Sequence, residues 1–165
     1  MTETIQIVVV DNQPLFGAGV TTVLEAEPGV EIVGQGTTAE EAIYLACNRL
    51  PNIILLSLDL TDRSLNTIRV IADECPATRV AFLTASEEDE HIIEVLRAGA
   101  KAYILKRITG PELIGVLRSV QTGQSYVPPA LAARLILKMN GDNFKHPHRF
   151  KAPIAVEAAA QSRRR

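Results

Sequence analysis

No stretch of this chain approaches the ~20 consecutive apolar residues that a bilayer-spanning helix needs, so no contact with a membrane is expected. The opening Met1-Thr2-Glu3-Thr4 is acidic and runs straight into an apolar segment, so a secretory leader is not expected and the cytoplasm is the expected location. There are two cysteines, Cys47 and Cys75, in or near separate predicted helices and without metal-ligand spacing; free thiols are their expected state. Glycine-rich phosphate loops are missing too. There is neither a Gly-x-Gly-x-x-Gly nor a Walker lysine loop, and Gly34-Gln35-Gly36 is too short to count. No unit repeats, which excludes a solenoid. Basic charge is scarce over most of the chain: residues 1–140 carry 11 Lys/Arg against 17 Asp/Glu, a net −6, whereas residues 141–165 carry six basic and two acidic residues, a net +4. An acidic main body is a poor grip for nucleic acid, and a short terminus ending Arg163-Arg164-Arg165 reads as a solvated tail.

What is present is a regular alternation of strand and helix signals. Ile5–Val10, Glu31–Gly36, Asn52–Ser57, Arg79–Thr84 and Lys101–Leu105 are short apolar runs of strand length. Between them lie helical segments. One opens at Gln13-Pro14, where proline suits a first turn, and runs to about Ala26. The next follows the capping box Thr38-Ala39-Glu40-Glu41 to about Leu50. A third covers about Ser64–Glu74. A fourth begins at Ser86-Glu87-Glu88-Asp89, with acids where the helix dipole favours them, and ends near Gly99. The fifth follows Thr109-Gly110-Pro111-Glu112 to about Gln121, and a sixth covers Ala130–Met139. Uninterrupted Ile/Leu runs such as Ile53-Ile54-Leu55-Leu56 belong to strands buried on both faces. The expected fold is therefore α/β: a flavodoxin-like, doubly wound, five-stranded parallel sheet, order 2-1-3-4-5, with an extra C-terminal helix. Residues 1–125 form the main domain, 126–140 a linker and helix, and 141–165 a basic tail without clear periodicity.

In such a sheet, chemistry gathers beyond the carboxyl ends of the strands. Asp11, Asn12, Ser57, Asp59, Thr84 and Lys106 all stand at or just past those ends. Any one alone reads as a cap or a strand terminus; six in this order read as one pocket. His146-Pro147-His148 has no further ligands nearby and reads as a loop, and His91 as a helix-surface residue.

The segments Val10-Asp11-Asn12-Gln13-Pro14, Asn52–Asp59, Ala81–Ser86 and Arg97-Ala98-Gly99-Ala100-Lys101-Ala102-Tyr103-Ile104-Leu105-Lys106 together resemble the receiver domain of two-component response regulators, and the last most resembles the NarL/FixJ (LuxR-type) subfamily. The resemblance covers about residues 4–125. It implies that Asp11 is the first of two metal-binding acids, that Thr84 and Lys106 hold phosphoryl oxygens, and that Tyr103 is the switch aromatic. It also implies an aspartate acceptor where Ser57 stands, a second acid where Asn12 stands, and often a histidine where Gln13 stands. The phosphorylation site is thus degenerate. Mg²⁺ is held largely through carboxylates and waters, so its binding is expected to be weak or absent, with Asp11 and Asp59 the residual ligands and no other cofactor. A seryl hydroxyl without a base is a poor nucleophile. Lys106 is expected to settle into an ion pair with Asp11.

The helix from Gln13 to Leu24 carries no charge, and Leu15, Phe16, Val20, Val23 and Leu24 spread over about half its circumference, wider than the ~100° stripe that covers a sheet. Either a deeply seated helix or a contact with another chain would explain this. The resemblance implies a dimerisation surface with the fifth helix, through Phe16, Val20, Leu113 and Leu117. Leu131, Leu135, Ile136, Leu137 and Met139 likewise surround their helix. In the resembled subfamily a helix-turn-helix domain follows, and residues 141–165 are too few for one. The expected function is a non-phosphorylatable pseudo-receiver in transcriptional regulation, not an enzyme. It would act by protein–protein contact: as a homodimer, with a sensor kinase or another regulatory protein, and on DNA only through a separate output domain. Two alternatives stay open: an active response regulator that phosphorylates Asp59, and a small flavodoxin-like nucleotide-binding enzyme.

Overall fold

The computed structural model describes residues 3–145. Five parallel strands, β1 (Ile5–Asp11), β2 (Val30–Gly36), β3 (Ile53–Ser57), β4 (Arg79–Thr84) and β5 (Ala102–Leu105), lie in the order β2-β1-β3-β4-β5. Helices α1 (Pro14–Glu25), α2 (Ala39–Arg49), α3 (Asp62–Glu74), α4 (Asp89–Ala98), α5 (Gly110–Gln121) and α6 (Pro129–Lys145) follow in chain order.

Strand periodicity sorts the core into two layers. Val8, Val10, Ile54, Leu56, Phe82 and Tyr103 face one way, with Ala46 of α2, Ile68 of α3 and Ile92 of α4. Ile7, Val9, Ile53, Leu55, Leu83 and Ile104 face the other, with Leu24 of α1 and Leu113, Leu117 and Val120 of α5. Both faces are covered, which is why the strands read as unbroken apolar runs. Each such Ile or Leu contributes roughly 1.5–3 kcal/mol by leaving water.

The caps are local and sequence-borne. Thr38 accepts a hydrogen bond from the Glu41 N–H, and Thr109 from the Glu112 N–H. Helix α3 starts earlier than its pattern suggests, because Thr61 and Ser64 form a reciprocal capping box. Helix α4 starts later, at Asp89: Ser86 is held in a turn, its N–H donating to Thr84 Oγ1 (3.2 Å) and its hydroxyl accepting from the Glu88 N–H (3.2 Å).

At the C-terminus of α4, Gly99 sits at φ +119°, and a Cβ there would lie 2.7 Å from the Cβ of Ala72. Gly99→Ala should therefore cost about 3 kcal/mol, from left-handed strain plus overpacking. The measurement is a urea midpoint, which should fall with an unchanged slope.

The linker is not loose. Tyr126 forms a bridge with Ala102 of β5: the Tyr103 N–H donates to the Tyr126 carbonyl and the Tyr126 N–H to the Lys101 carbonyl, each at 2.9 Å. This blunts an open sheet edge. Helix α6 then buries Leu131, Ala132, Leu135 and Met139 along one stripe, leaving Leu137 exposed. Most of the apolar residues of α6 therefore line one face, with Leu137 standing off it. It also continues to Lys145, past the expected end at Met139, so the expected tail begins inside a helix. His146, His148 and the rest of the 141–165 tail from residue 146 on lie outside the described residues. Among the described residues, no helix is long and apolar enough to cross a membrane.

Candidate functional site

The C-terminal ends of β1 and β3 are stitched together: Asp11 and Ser57 are register partners, and the Asn12 N–H donates to the Ser57 carbonyl at 3.1 Å. The ends of β4 and β5 are joined by the Lys106 N–H donating to the Thr84 carbonyl at 2.9 Å. The backbone thus gathers the expected residues at one edge of the sheet.

The side chains line several cavities at this edge. Asp11, 2% exposed, accepts from the Gln13 N–H through Oδ1 at 2.7 Å; its buried Oδ2 has no hydrogen-bond partner among the described residues. It lines a cavity of about 250 Å³ beside Gly17, Gln35 and Glu41. Gly17 is glycine for a local reason: a Cβ there would approach the Asp11 Cβ to 3.0 Å. Asn12 and Asp59, both exposed, face a separate cavity of about 310 Å³ with Thr61 and Arg63. Lys106 and Gln13 face a third, of about 660 Å³, walled by Phe16, Val20, Val23, Ile108 and Leu113. Ser57 is 3% exposed and lines none of these three. Asp59 stands past the end of β3, two residues beyond Ser57.

The expected Asp11–Lys106 ion pair does not form. Lys106 Nζ donates to Gln13 Oε1 at 2.5 Å and lies 4.5 Å from the centroid of the Phe16 ring, a cation–π arrangement. A long lysine stem can reach either partner, and here the amide and the ring face of α1 are the ones it meets.

Thr84 and Tyr103 belong to a second cluster. Tyr103 is fully buried, packs against Phe82 with ring centroids 6.5 Å apart, and donates its hydroxyl to the Ser86 carbonyl at 2.7 Å. Burial holds its phenol above the ordinary range, partly offset by that hydrogen bond. His91 is more than a surface residue: half-buried, it hydrogen-bonds the Ser86 hydroxyl through Nδ1 (2.6 Å) and faces Glu88 through Nε2 (3.3 Å). Helix α6 reaches the same turn. Arg134 pairs with Asp89 at 2.7 Å and donates to the Glu87 carbonyl, and Lys138 lies 3.4 Å from Glu90. Ser86 and Arg134 were not singled out as site residues in the sequence, and His91 was read only as a helix-surface residue; the one signal was the polar turn Ser86-Glu87-Glu88.

The proposed α1–α5 surface also differs in detail. Leu113 and Leu117 face the core rather than solvent, while Phe16 and Val20 are half-buried. The exposed large apolar residues of α1 are Leu15, at 88%, and Val23, at 41%.

Residues 7–118 match the family model of the response regulator receiver domain. The chain belongs to that family. It is 30% identical over 133 residues to the transcriptional regulatory protein DegU of Brevibacillus brevis, covering 80% of this chain and 56% of DegU. It is 30% identical over 135 residues to the response regulator GacA of Pseudomonas aeruginosa, covering 81% of this chain and 63% of GacA. This receiver chain therefore spans 56–63% of the length of these relatives. Among solved structures, the receiver domain of a NarL response regulator from Mycobacterium tuberculosis superposes with a TM-score of 0.70 at 26% identity, covering 74% of this chain and 99% of that one. A LuxR-family response regulator from Aurantimonas, at 24% identity and TM-score 0.76, shares the fold over 83% of this chain and 99% of its own. The receiver family is shown, and the alternative of a nucleotide-binding enzyme finds no support in these matches.

Proposed function

We propose that this receiver no longer takes phosphate and acts through protein–protein contact, including with a second copy of itself, in transcriptional regulation. The observation that carries the reading is the chemistry at the strand ends: Ser57, the register partner of Asp11, is a hydroxyl, and Asn12 is an amide, where the family pattern has carboxylates. A phosphoacceptor site needs a nucleophile, a cation and a phosphoryl clamp within one space. Here Ser57 is a buried hydroxyl, Asn12 an exposed amide, and the Lys106 ammonium is bonded to Gln13.

The residues also fit Mg²⁺ poorly. The orphan Oδ2 of Asp11 offers a cation one carboxylate oxygen, but Asn12 supplies only an exposed amide and Asp59 faces elsewhere. Among the described residues no three His, Cys, Asp or Glu side chains gather as a metal-holding set. Mg²⁺ binding is weak or absent, and the function does not run through it. Signalling instead rests on surfaces. One is the exposed apolar face of α1 around Leu15 and Val23, suited to a second copy. The other is the Ser86–His91–Arg134 turn, where α6 is tied to the segment that bonds Thr84 of β4 and Tyr103 of β5. An upstream kinase or other regulatory protein and a DNA-binding output domain complete the reading as partners.

Incubation with acetyl phosphate and Mg²⁺, followed by intact mass, tests it. The mass should remain that of the unmodified chain, and beryllofluoride with Mg²⁺ should leave the amide NMR spectrum unchanged. A phosphoryl adduct on Asp59 would overturn the proposal and establish the alternative acceptor.

A further inference from the structure

The two cysteines, far apart in sequence, meet in the fold. Cys47 stands in the last turns of α2 and Cys75 caps the C-terminus of α3, 28 positions later, and their sulfurs are 2.9 Å apart. An S–S bond is ~2.0 Å, so closure asks for a movement of about 0.9 Å. Both helices end where the chain turns back toward the N-terminal ends of β3 and β4, the sheet edge opposite Asp11 and Ser57. The pair is therefore separate from the receiver pocket.

The two thiols are unlike in access. Cys47 is exposed and Cys75 buried. Burial first, and the Cys47 sulfur next, push the Cys75 thiol up to about 11, so it stays protonated until its neighbour becomes electrophilic. That is the arrangement of an accessible attacking thiol backed by a resolving one.

We propose that Cys47 and Cys75 are a redox modification site that closes to an intramolecular disulfide on reaction with a hydroperoxide. The Cys47 thiolate attacks the terminal peroxide oxygen; the O–O bond breaks, leaving a sulfenic acid on Cys47 and releasing the alcohol, or water from hydrogen peroxide. The Cys75 sulfur then attacks the Cys47 sulfur and gives up its proton. The S–O bond breaks, and the hydroxyl leaves with that proton as water. Two thiols have lost two electrons to the peroxide. The new bond ties α2 to α3 and closes a loop that contains β3, Ser57 and Asp59, so the oxidised chain holds this half of the sheet more tightly.

Hydrogen peroxide added to the full chain, followed by iodoacetamide, gives the readout. The expected product is a monomer lighter by two hydrogens, unalkylated, with the Cys47 and Cys75 peptides linked. With Cys75→Ala, oxidation should stop at a dimedone-reactive sulfenic acid on Cys47. With Cys47→Ala, Cys75 should stay a thiol that alkylates only after unfolding. In a glutathione buffer, the equilibrium constant for the intramolecular disulfide in the native wild-type chain should exceed that in guanidinium on the order of 100-fold. Three results would overturn the proposal: Cys47 oxidised to a sulfinic acid beside a free Cys75, a disulfide joining two chains, or a native constant no larger than the unfolded one.

Discussion

Leu117→Glu should unfold the domain, and Leu15→Glu should leave it as stable as the wild type. Leu117 is 2% exposed and lies with Leu24, Leu113 and Val120 in the layer under α1 and α5. Deleting a buried leucine side chain costs roughly 2–5 kcal/mol, and placing a carboxylate there adds several more unless it is protonated. That sum approaches the ~5–15 kcal/mol that holds a whole domain together. The expected result is loss of the cooperative thermal transition, with far-UV ellipticity reduced at room temperature. Leu15, on α1, is 88% exposed, so its replacement should change stability by no more than about 0.5 kcal/mol. If the α1 face carries the contact between copies, Leu15→Glu alone should shift sedimentation from dimer to monomer at tens of micromolar. A wild type that is already monomeric there, or a Leu15→Glu dimer as tight as wild type, would remove this face from the proposed function.

The contrast shows what the sequence made legible. Strand order, helix order and two of the caps follow from patterns that act locally: apolar runs, proline at a first turn, Thr-x-x-Glu boxes. Such signals bind residues within a few positions of one another. The wide apolar sweep of α1 was also legible, but not which part of it, or of α5 beside it, turned to the sheet. That depends on helix rotation, fixed by packing between elements far apart in sequence; it sends Leu117 inward and Leu15 outward. The same holds for α6, where Leu131, Leu135 and Met139, at four-residue spacing, pack inward while Leu137 does not. In the candidate site, backbone placement was legible and side-chain pairing was not. Lys106 has several partners within reach of its stem, and the choice of Gln13 and Phe16 over Asp11 is made by where α1 lies. Ser86 is the clearest omission. Its carbonyl and hydroxyl hold Tyr103 and His91, residues 17 and 5 positions away, contacts that a local polar-turn signal does not encode.

Repairing the pocket should separate its two losses. Ser57→Asp alone restores a nucleophile at the end of β3, but the new carboxylate lies beside its register partner Asp11, with no second acid to share a cation. Like charges that close disfavour ionisation, so this variant should be less stable than wild type and still take up phosphate poorly. Asn12→Asp alone supplies the missing acid without an acceptor. Together they give Mg²⁺ three carboxylates around the strand ends, and the cation offsets the repulsion it would otherwise leave. Two readouts follow. Mg²⁺ should raise the melting temperature of the double variant clearly and of either single variant little, because only a bound cation stabilises the native state by mass action. Phosphate uptake from acetyl phosphate should be faster in the double variant by roughly 100-fold or more over either single one, since the metal and nucleophile act as a unit and their effects do not add. One obstacle remains in the present geometry: Lys106 is held 2.5 Å from Gln13 Oε1 and over Phe16. Adding Gln13→Ala to the double variant should therefore raise the rate further by freeing the lysine to meet the phosphoryl oxygens. A folded double variant that binds Mg²⁺ yet stays unphosphorylated would place the defect in Lys106. One that does not bind Mg²⁺ would place it in the acidic cluster itself.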